Sequence, residues 1–476
     1  MKKIETFKGK SITFYSYKGG VGRSMALINI ACLLAKQGKK VLMIDWDLEA
    51  PGLHTYFNGD VKKTDLGLVD LIIDSKEYLD IEKNNNEDRI NKYFKDNIGR
   101  FIKSDLVLKE QKKLKLKHRF TLDLLKAGNF DKEYTSRLSS INWIDFYSHS
   151  PEYFRTFAKH LEEKYDYILI DSRTGLADSS GVCTMLMPSV LVLVFALNQQ
   201  NIDGVITVCR QSLEYRFSSH DERNLNIFPL PARIDGNSKN YQHWEDIYKK
   251  EFETLFSEIF KLERCDLRNY FDIAQIKYDS SNSYGENIPT LTENVNNRKF
   301  ISYDYNQLAN IIDREIPIWE YLSIEEISEL YNKAEKFKIQ KNFKEAVKCL
   351  EKLLPYKDDY FYYNFLSSTM IEYSKEILDK TSKKFILGKS YEYALLEYKK
   401  SNNSYNLACV LSLLNKKDEA FSYLEKVLQE NKENINEYYN LVIKIDLNYD
   451  FINIKDDPKF EALMRKYNVD LSENKS

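Results

Sequence analysis

The chain has 476 residues, about three times a modal domain of ~150 residues, so two or three hydrophobic cores are expected rather than one small module. Lys+Arg 70 against Asp+Glu 72 leaves a net charge of −2, so no global field draws the chain to nucleic acid or an acidic membrane. Only 16 glycines and 9 prolines, with 43% hydrophobic residues, argue against disorder and β-rich repeats and for long helices.

The N-terminus, MKKIETFKGK, lacks the apolar core of a signal peptide, and the longest apolar stretch, Leu186 to Leu197, is interrupted by Pro188 and Ser189. Neither export by that route nor a membrane span is expected. Six scattered cysteines without a CxxC pair, and only six histidines, read as reduced thiols in a cytoplasmic protein without a zinc site.

Residues 11 to 17, SITFYSY, form a β-branched and aromatic run that stops at Lys18-Gly19-Gly20, and Ser24 to Lys36 is apolar on nearly every face. This is the pattern of strand, glycine loop and buried helix. Val41 to Ile44 is a second strand ending in Asp45-Trp46-Asp47, and Tyr167 to Ile170 a third ending in Asp171. Leu191 to Ala196 and Leu225 to Leu230 read as further buried strands around a helix from Ile202 to Tyr215. Such alternation predicts an α/β domain with a mostly parallel, doubly wound sheet.

Ile81 to Arg119 looks like a polar insertion, asparagine-rich at Asn84 to Asn86 and basic at Lys109, Lys112, Lys113, Lys115, Lys117 and Arg119. The alternation from Lys113 to Lys117 has strand period and would place its lysines on one face of a hairpin. A solvated edge is one reading and a nucleic-acid backbone contact the other. Sheet pattern resumes at Thr121 to Ala127.

Near Ile316-Pro317-Ile318-Trp319 the composition changes, so the first domain is placed at residues 1–318 and a helical one at 319–476. The segment around Asn342 to Leu354 recurs at Lys416 to Leu428, Ala346 matching Ala420. This offset suits two helical hairpins, with Tyr391 to Ala394 as a worn middle copy and Tyr405 opening the last pair. The pattern resembles tetratricopeptide repeats, a fold that holds protein partners. Phe460, Leu463, Met464 and Tyr467 make an amphipathic last helix, expected to cap the array rather than lie on a membrane. The Tyr and Phe residues between 360 and 398 are expected in the repeat core.

The chemistry concentrates in Lys18-Gly19-Gly20-Val21-Gly22-Arg23-Ser24. A glycine-rich turn at a helix N-terminus points backbone N–H groups into one concavity suited to phosphate. Ser24 sits where a P-loop hydroxyl ligates Mg²⁺, while Arg23 takes the place of the usual lysine and is not its equivalent. The run is similar to the deviant Walker A motif, KGGxGK[ST], of the ParA/MinD family of ATPases, nearest a bacterial KGGVGR-variant subgroup. Asp45 to Leu53 and Tyr167 to Gly175 resemble the family's next two signatures, in the family's order.

The resemblance covers about residues 10 to 315 and implies ATP and Mg²⁺ as cofactors. It implies that Lys18 reaches the phosphates of a partner subunit in an ATP-dependent homodimer. Residues Gly19, Gly20, Val21, Gly22, Arg23, Ser24 and Met25 would cradle the nucleotide, with Arg23 on the β- and γ-phosphates. Ser24, Asp45 and Asp171 would serve the metal, Asp47 the attacking water, and Gly175 the γ-phosphate, with Arg173 sensing phosphate charge. Arg233 and Asp235, following the strand Leu225 to Leu230, would lie near the base. The implied activity is hydrolysis of ATP in a dimerisation switch whose repeats bind a protein, in a bacterial conflict or phage-defence module. A nucleotide-stabilised scaffold and a DNA-partitioning ATPase are the alternatives. A tyrosine kinase of this type is disfavoured because Asn468 to Ser476 has no tyrosine cluster.

Overall fold

The computed structural model describes residues 9–469 except 58, 80–86, 117–118, 144–145, 147–149, 176–180, 220–222, 281–286, 315 and 357–358. The asparagine run 84–86, Lys117 and the end of the tail fall outside the described residues. The chain separates into two compact units, Met1–Tyr321 and Leu322–Ser476.

The first unit is built on eight strands: β1 Lys10–Tyr15, β2 Val41–Asp45, β3 Lys103–Leu106, β4 Leu122–Leu125, β5 Tyr167–Asp171, β6 Val190–Phe195, β7 Asn226–Ile234 and β8 Ile276–Lys277. They lie in the order β3-β4-β2-β5-β1-β6-β7-β8. All pair in parallel except β3, which runs antiparallel to β4 at the edge. Every residue of β2, β5 and β6 is buried, as expected where helices cover both faces of a parallel sheet.

Helix α1 (Arg23–Lys36) follows β1, and the unbroken burial from Ala26 to Ala35 explains its lack of a polar face. Helices α2 (Leu68–Leu79), α3 (Glu87–Asn97), α4 (Lys109–Lys113) and α5 (Tyr134–Ser139) lie between β2 and β5 in the chain. They are followed by α6 (Pro151–Glu162), and the second half of the sheet carries α7 (Gln199–Ser218), α8 (Tyr241–Phe260) and α9 (Ile301–Arg314). Trp46, at the end of β2, is fully buried against Trp143 and Phe154, with ring centroids 6.2 Å apart in both pairs.

Two sequence expectations are corrected. The lysine alternation does not form a strand: Lys109–Lys113 is the short helix α4, Leu114 caps it and Lys115 turns through φ 50°. Cooperative i→i+4 bonding, with Leu114 N–H on the Glu110 carbonyl at 2.9 Å, overrides the two-residue period. The strand assigned to Leu225–Leu230 runs on through Pro231 to Ile234, so Arg233 lies inside β7 rather than after it. The β7–β8 pairing shifts register between Ala232 and Ile234, where Arg233 adopts φ 59°.

The second unit is almost entirely helical. Successive helices pack in pairs: α10 (Ile324–Ile339) with α11 (Phe343–Leu353), α12 (Tyr360–Glu376) with α13 (Lys380–Ser401), and α14 (Tyr405–Leu413) with α15 (Lys417–Glu430). Ser323 and Glu326 form a capping box at the start of α10, and Asn342, Asp359 and Asp379 accept backbone N–H bonds at the starts of α11, α12 and α13. Ala346 and Ala420 occupy equivalent fully buried places on α11 and α15, as do Leu350 and Leu424.

The irregular middle spacing follows from the longer α12–α13 pair, of 17 and 22 residues. In α16 (Pro458–Lys466), Phe460 and Met464 are buried in the cluster formed with α14 and α15, and Leu463 and Tyr467 pack against it. The aromatic run of α12 and α13 divides: Tyr362 and Tyr363 are buried, but Phe361 and Phe385 are exposed. Each helical position is rotated by about 100° from the last, so Phe361 falls outside the buried sector that Tyr362 and Tyr363 share.

Candidate functional site: a phosphate loop with an arginine bridge

The parallel register gathers the site. β1 lies between β5 and β6, so its carboxyl end opens where the chain crosses left to β2 and, after β6, right to β7. Such a reversal of strand order leaves a crevice for ligands. Phe14 is registered with Asp171 across β1–β5, and Asp45 with Asp171 across β2–β5, which brings both acids to the end of the glycine loop.

In that loop Gly20 and Gly22 adopt φ 76° and 97°, a region costly for any residue with a Cβ, and Gly22 accepts the first helical bond from Ala26 N–H at 2.9 Å. Val21 is buried, Gly19 and Gly20 are exposed, and Ser24 and Met25 are half-buried in the first turn of α1. Met25 Sδ accepts the Tyr56 hydroxyl at 3.5 Å. Lys18 is exposed, its ammonium 5.6 Å from the centre of the Tyr17 ring. Tyr17 in turn lies on α7 at Gly204, where a Cβ would come within 2.1 Å of its ring.

Arg23 is 7% exposed and bridges two acids. Its Nε donates to Asp171 Oδ1 at 2.6 Å, and its Nη2 to Asp47 Oδ2 at 2.8 Å. Ser24 Oγ donates to the other Asp171 oxygen at 2.6 Å. Burial opposes the Arg23 charge, but Asp171 and Asp47 outweigh it and hold the guanidinium above its ordinary range. Burial pushes the Asp171 carboxyl up, with Arg23 and Ser24 opposing.

Asp45 is fully buried and held well above the usual carboxylate range, first by burial and then by neighbouring Asp171. Its Oδ2 accepts Leu53 N–H at 3.0 Å, while its Oδ1 meets no donor among the described residues. A hydroxyl and a carboxylate in contact beside an orphaned carboxyl oxygen form a hard-oxygen donor set that fits Mg²⁺.

Gly175 turns through φ 76°, and its carbonyl accepts the Tyr15 hydroxyl at 3.1 Å, which ties the segment after β5 to the end of β1. Arg173 forms an exposed ion pair with Glu49. Arg233 Nη1 donates to the Gly20 carbonyl at 2.8 Å, and its guanidinium lies 5.2 Å from the Tyr278 ring centre. Asp235 is exposed and accepts Asn237 N–H at 3.1 Å.

Gly20, Val21, Asn198, Asn201, Arg233 and Trp244 line a cavity of about 480 Å³ beside the loop, with Asp235 also at its wall. The sequence reading missed Asn198, Asn201 and Trp244. Asn198 follows β6 and caps α7 by accepting Asn201 N–H at 3.1 Å, so an asparagine between an apolar strand and a helix was the available signal. Asn201 Oδ1 is buried and unpartnered among the described residues, an acceptor turned to no protein donor.

A model of the AAA domain matches residues 9–127. The chain is 47% identical over 55 residues to an uncharacterized ATP-binding protein, MJ0169, of Methanocaldococcus jannaschii, a match covering 12% of this chain and 21% of that protein. It is 48% identical over 48 residues to the tyrosine-protein kinase YwqD of Bacillus subtilis, covering 10% and 20%. The chain thus spans between 20% and 26% of the length of the curated relatives it matches. Among solved structures it is similar to the septum site-determining protein MinD of Pyrococcus horikoshii complexed with Mg-ADP, at 20% identity and a TM-score of 0.40, over 64% of this chain and 96% of that one. No helix among the described residues is long and apolar enough to cross a membrane. The AAA-domain match spans the glycine loop Lys18 to Ser24 and the acids Asp45 and Asp47, the first two of the three motifs, and ends before Tyr167 to Gly175.

Proposed function

We propose that the first unit binds ATP with Mg²⁺ and hydrolyses it as a dimerisation switch, and that the helical unit is a tetratricopeptide-like array holding a protein partner. The observation that carries this reading is the different standing of Lys18 and Arg23, the cations at either end of the glycine run. Arg23 is buried between Asp47 and Asp171, whereas Lys18 stands exposed beside the same loop. An exposed lysine next to a phosphate cradle is free to serve a second copy's nucleotide.

In this reading Gly19 to Met25 bind the phosphates, Ser24 and Asp171 hold Mg²⁺ with Asp45 behind them, and Asp47 orients the attacking water. The metal, when bound, neutralises charge on the phosphates. Gly175 brings backbone close to the γ-phosphate, and the cavity at Asn201, Arg233 and Asp235 takes the base.

Mg·ATP turnover per protomer across a wide range of protein concentrations tests this reading, with Arg23→Ala as blank. Specific activity that climbs with concentration, and a Lys18→Ala chain that stays monomeric on size exclusion with a slowly hydrolysed ATP analogue, are expected. Dimers that survive Lys18→Ala would sink the switch.

The engagement of Arg23 by two acids favours one second reading, a nucleotide-stabilised scaffold, which predicts retained ATP and blank-level turnover. The DNA-partitioning alternative keeps its likeness to ATP-binding relatives but not the lysine hairpin, since Lys109–Lys113 is helical, with Lys112 paired to Asp60 and Lys113 to Glu110. A place in a phage-defence module rests on the KGGVGR-and-repeat combination, and unchanged phage plating with Lys18→Ala against the intact protein would count against it.

A further inference from the structure

Arg23 does more here than fill a lysine's place. The edge of a guanidinium formed by Nε and Nη2 is the one that usually grips a single carboxylate with two bonds. In this chain that edge is split between two carboxylates, Asp171 at 2.6 Å and Asp47 at 2.8 Å. The third nitrogen, Nη1, is buried and meets no acceptor among the described residues. A side chain 93% buried with an unspent donor pair is costly unless an acceptor arrives. Its position in the first turn after the glycine loop makes a phosphate oxygen the acceptor that fits.

We propose that Arg23 is the positioning residue of Asp47: it ties the water-orienting acid to Asp171 through one planar fork and offers Nη1 to the nucleotide, so that phosphate binding and the placement of Asp47 are coupled. This rests on the nucleotide reading above. A lysine ammonium is a single point charge and cannot hold two acids and a phosphate in one plane. The arginine is therefore the residue that links the phosphate loop to the segment after β2, and restoring the commoner lysine should uncouple them.

Coupling is reciprocal, so it can be read without turnover and without metal. The measurement is the affinity for a fluorescent ADP derivative in EDTA, for the full chain and for Asp47→Asn, Arg23→Lys and the double variant. ADP lacks the γ-phosphate near which Asp47 would act, so Asp47 should matter to it only through Arg23. Asp47→Asn, which frees the Nη2 side of the fork, is expected to tighten ADP binding by about fivefold or more. In the Arg23→Lys background the same change should shift affinity by less than twofold.

A shift that persists in the lysine background would mean direct repulsion between Asp47 and the phosphates and would overturn the proposal. No shift in either background would overturn it as well. Failure of the unaltered chain to bind ADP would instead remove the nucleotide reading itself. Turnover gives a second readout: Arg23→Lys should lower kcat by about a hundredfold, the scale seen when one preorganised group is lost, with KM within about fivefold. Wild-type kcat in that variant, at an unchanged melting midpoint, would show that Arg23 is a phosphate ligand and nothing more. Should Arg23→Lys fold poorly, Arg23→Gln with Asp47→Asn removes both charges and allows the same comparison.

Discussion

The helical unit and the glycine-loop region of the sheet unit treat their buried polar groups differently. In the helical unit, Glu397 is fully buried, but Asn364, Asn403 and Asn406 each donate to it at 2.8 Å, so the cluster is self-sufficient and structural. At the strand ends of the sheet unit, Asp45 Oδ1, Arg23 Nη1 and Asn201 Oδ1 are buried with no such partner. Closed polar networks hold helices in register, whereas several unpartnered atoms gathered at one glycine loop suit a ligand that completes the set. Ser412 Oγ of the helical unit is also buried without a partner, so what sets the first unit apart is the grouping of such atoms around one glycine loop.

The sharpest way to break this contrast is to remove the acid on which the unfinished network turns. Asp171→Ala leaves Arg23 with Asp47 alone and deprives Ser24 of its acceptor. Removing one partner of a buried ion pair costs about 3 to 5 kcal/mol. A denaturant melt of the full chain should show the sheet unit's transition shifted by that amount, with nucleotide binding lost, while the helical unit's transition stays in place. If both transitions moved together, the units would not be independent in stability.

In the helical unit the equivalent damage should come from apolar truncation. Leu350 and Leu424 are fully buried at repeat-equivalent positions, so Leu350→Ala or Leu424→Ala should each cost about 2 to 4 kcal/mol through lost contacts and a residual cavity. Calorimetry should assign the loss to the helical unit, and ADP affinity should remain within twofold. A nucleotide-binding defect in either variant would contradict the division of labour.

Why one unit was more legible than the other follows from the same contrast. The strand–glycine–helix run at 11 to 36 and the acids Asp45 and Asp171 were readable because parallel strands end together, so acid-terminated apolar runs meet at one sheet edge. The repeat match of Ala346 to Ala420 was readable because identical packing demands identical small residues. What stayed hidden depends on three-dimensional completion. Nothing local says that Arg23 would spend its fork on Asp47 and Asp171, or that Arg233 would sit at a bulge within β7 and reach the Gly20 carbonyl. The lysine alternation misled because a five-residue stretch has too few positions to separate a two-residue from a 3.6-residue period.

A smaller effect separates the units by pH. Burial pushes Asp304 in the sheet unit and Asp450 in the helical unit each up to about 6. Lys277 opposes the shift at Asp304 while Glu293 adds to it; Lys375 opposes it at Asp450 while Asp446 and Glu372 add to it. Folded values above the unfolded carboxylate value mean that the fold prefers the protonated form. The stabilising contribution is complete below about 3.8 and is lost as pH rises through 6. Between pH 5 and 7 each unit should lose about 1 to 2 kcal/mol from this source. Asp304→Asn should flatten the profile of the sheet unit alone, and Asp450→Asn that of the helical unit alone. Profiles unchanged by either substitution would show that other groups set the dependence.

The smallest expected effect concerns the segment whose structure departs most from its sequence pattern. Lys112 pairs with Asp60 with both side chains more than a third exposed, and such surface pairs contribute about 0 to 1 kcal/mol. Lys112→Ala should therefore leave stability within that range, and any loss should shrink further in high salt, where exposed charges are screened. The same variant bears on nucleic acid: if α4 contacted a phosphate backbone, neutralising Lys112, Lys113 and Lys115 together would reduce the salt slope of DNA binding by about one unit per lost contact. With Lys112 and Lys113 already turned to Asp60 and Glu110, the expected result is weak DNA binding whose salt slope the triple substitution leaves unchanged. A slope that fell by two or three units would return the segment to nucleic-acid recognition and make the sheet unit, rather than the helical one, the seat of a second macromolecular contact.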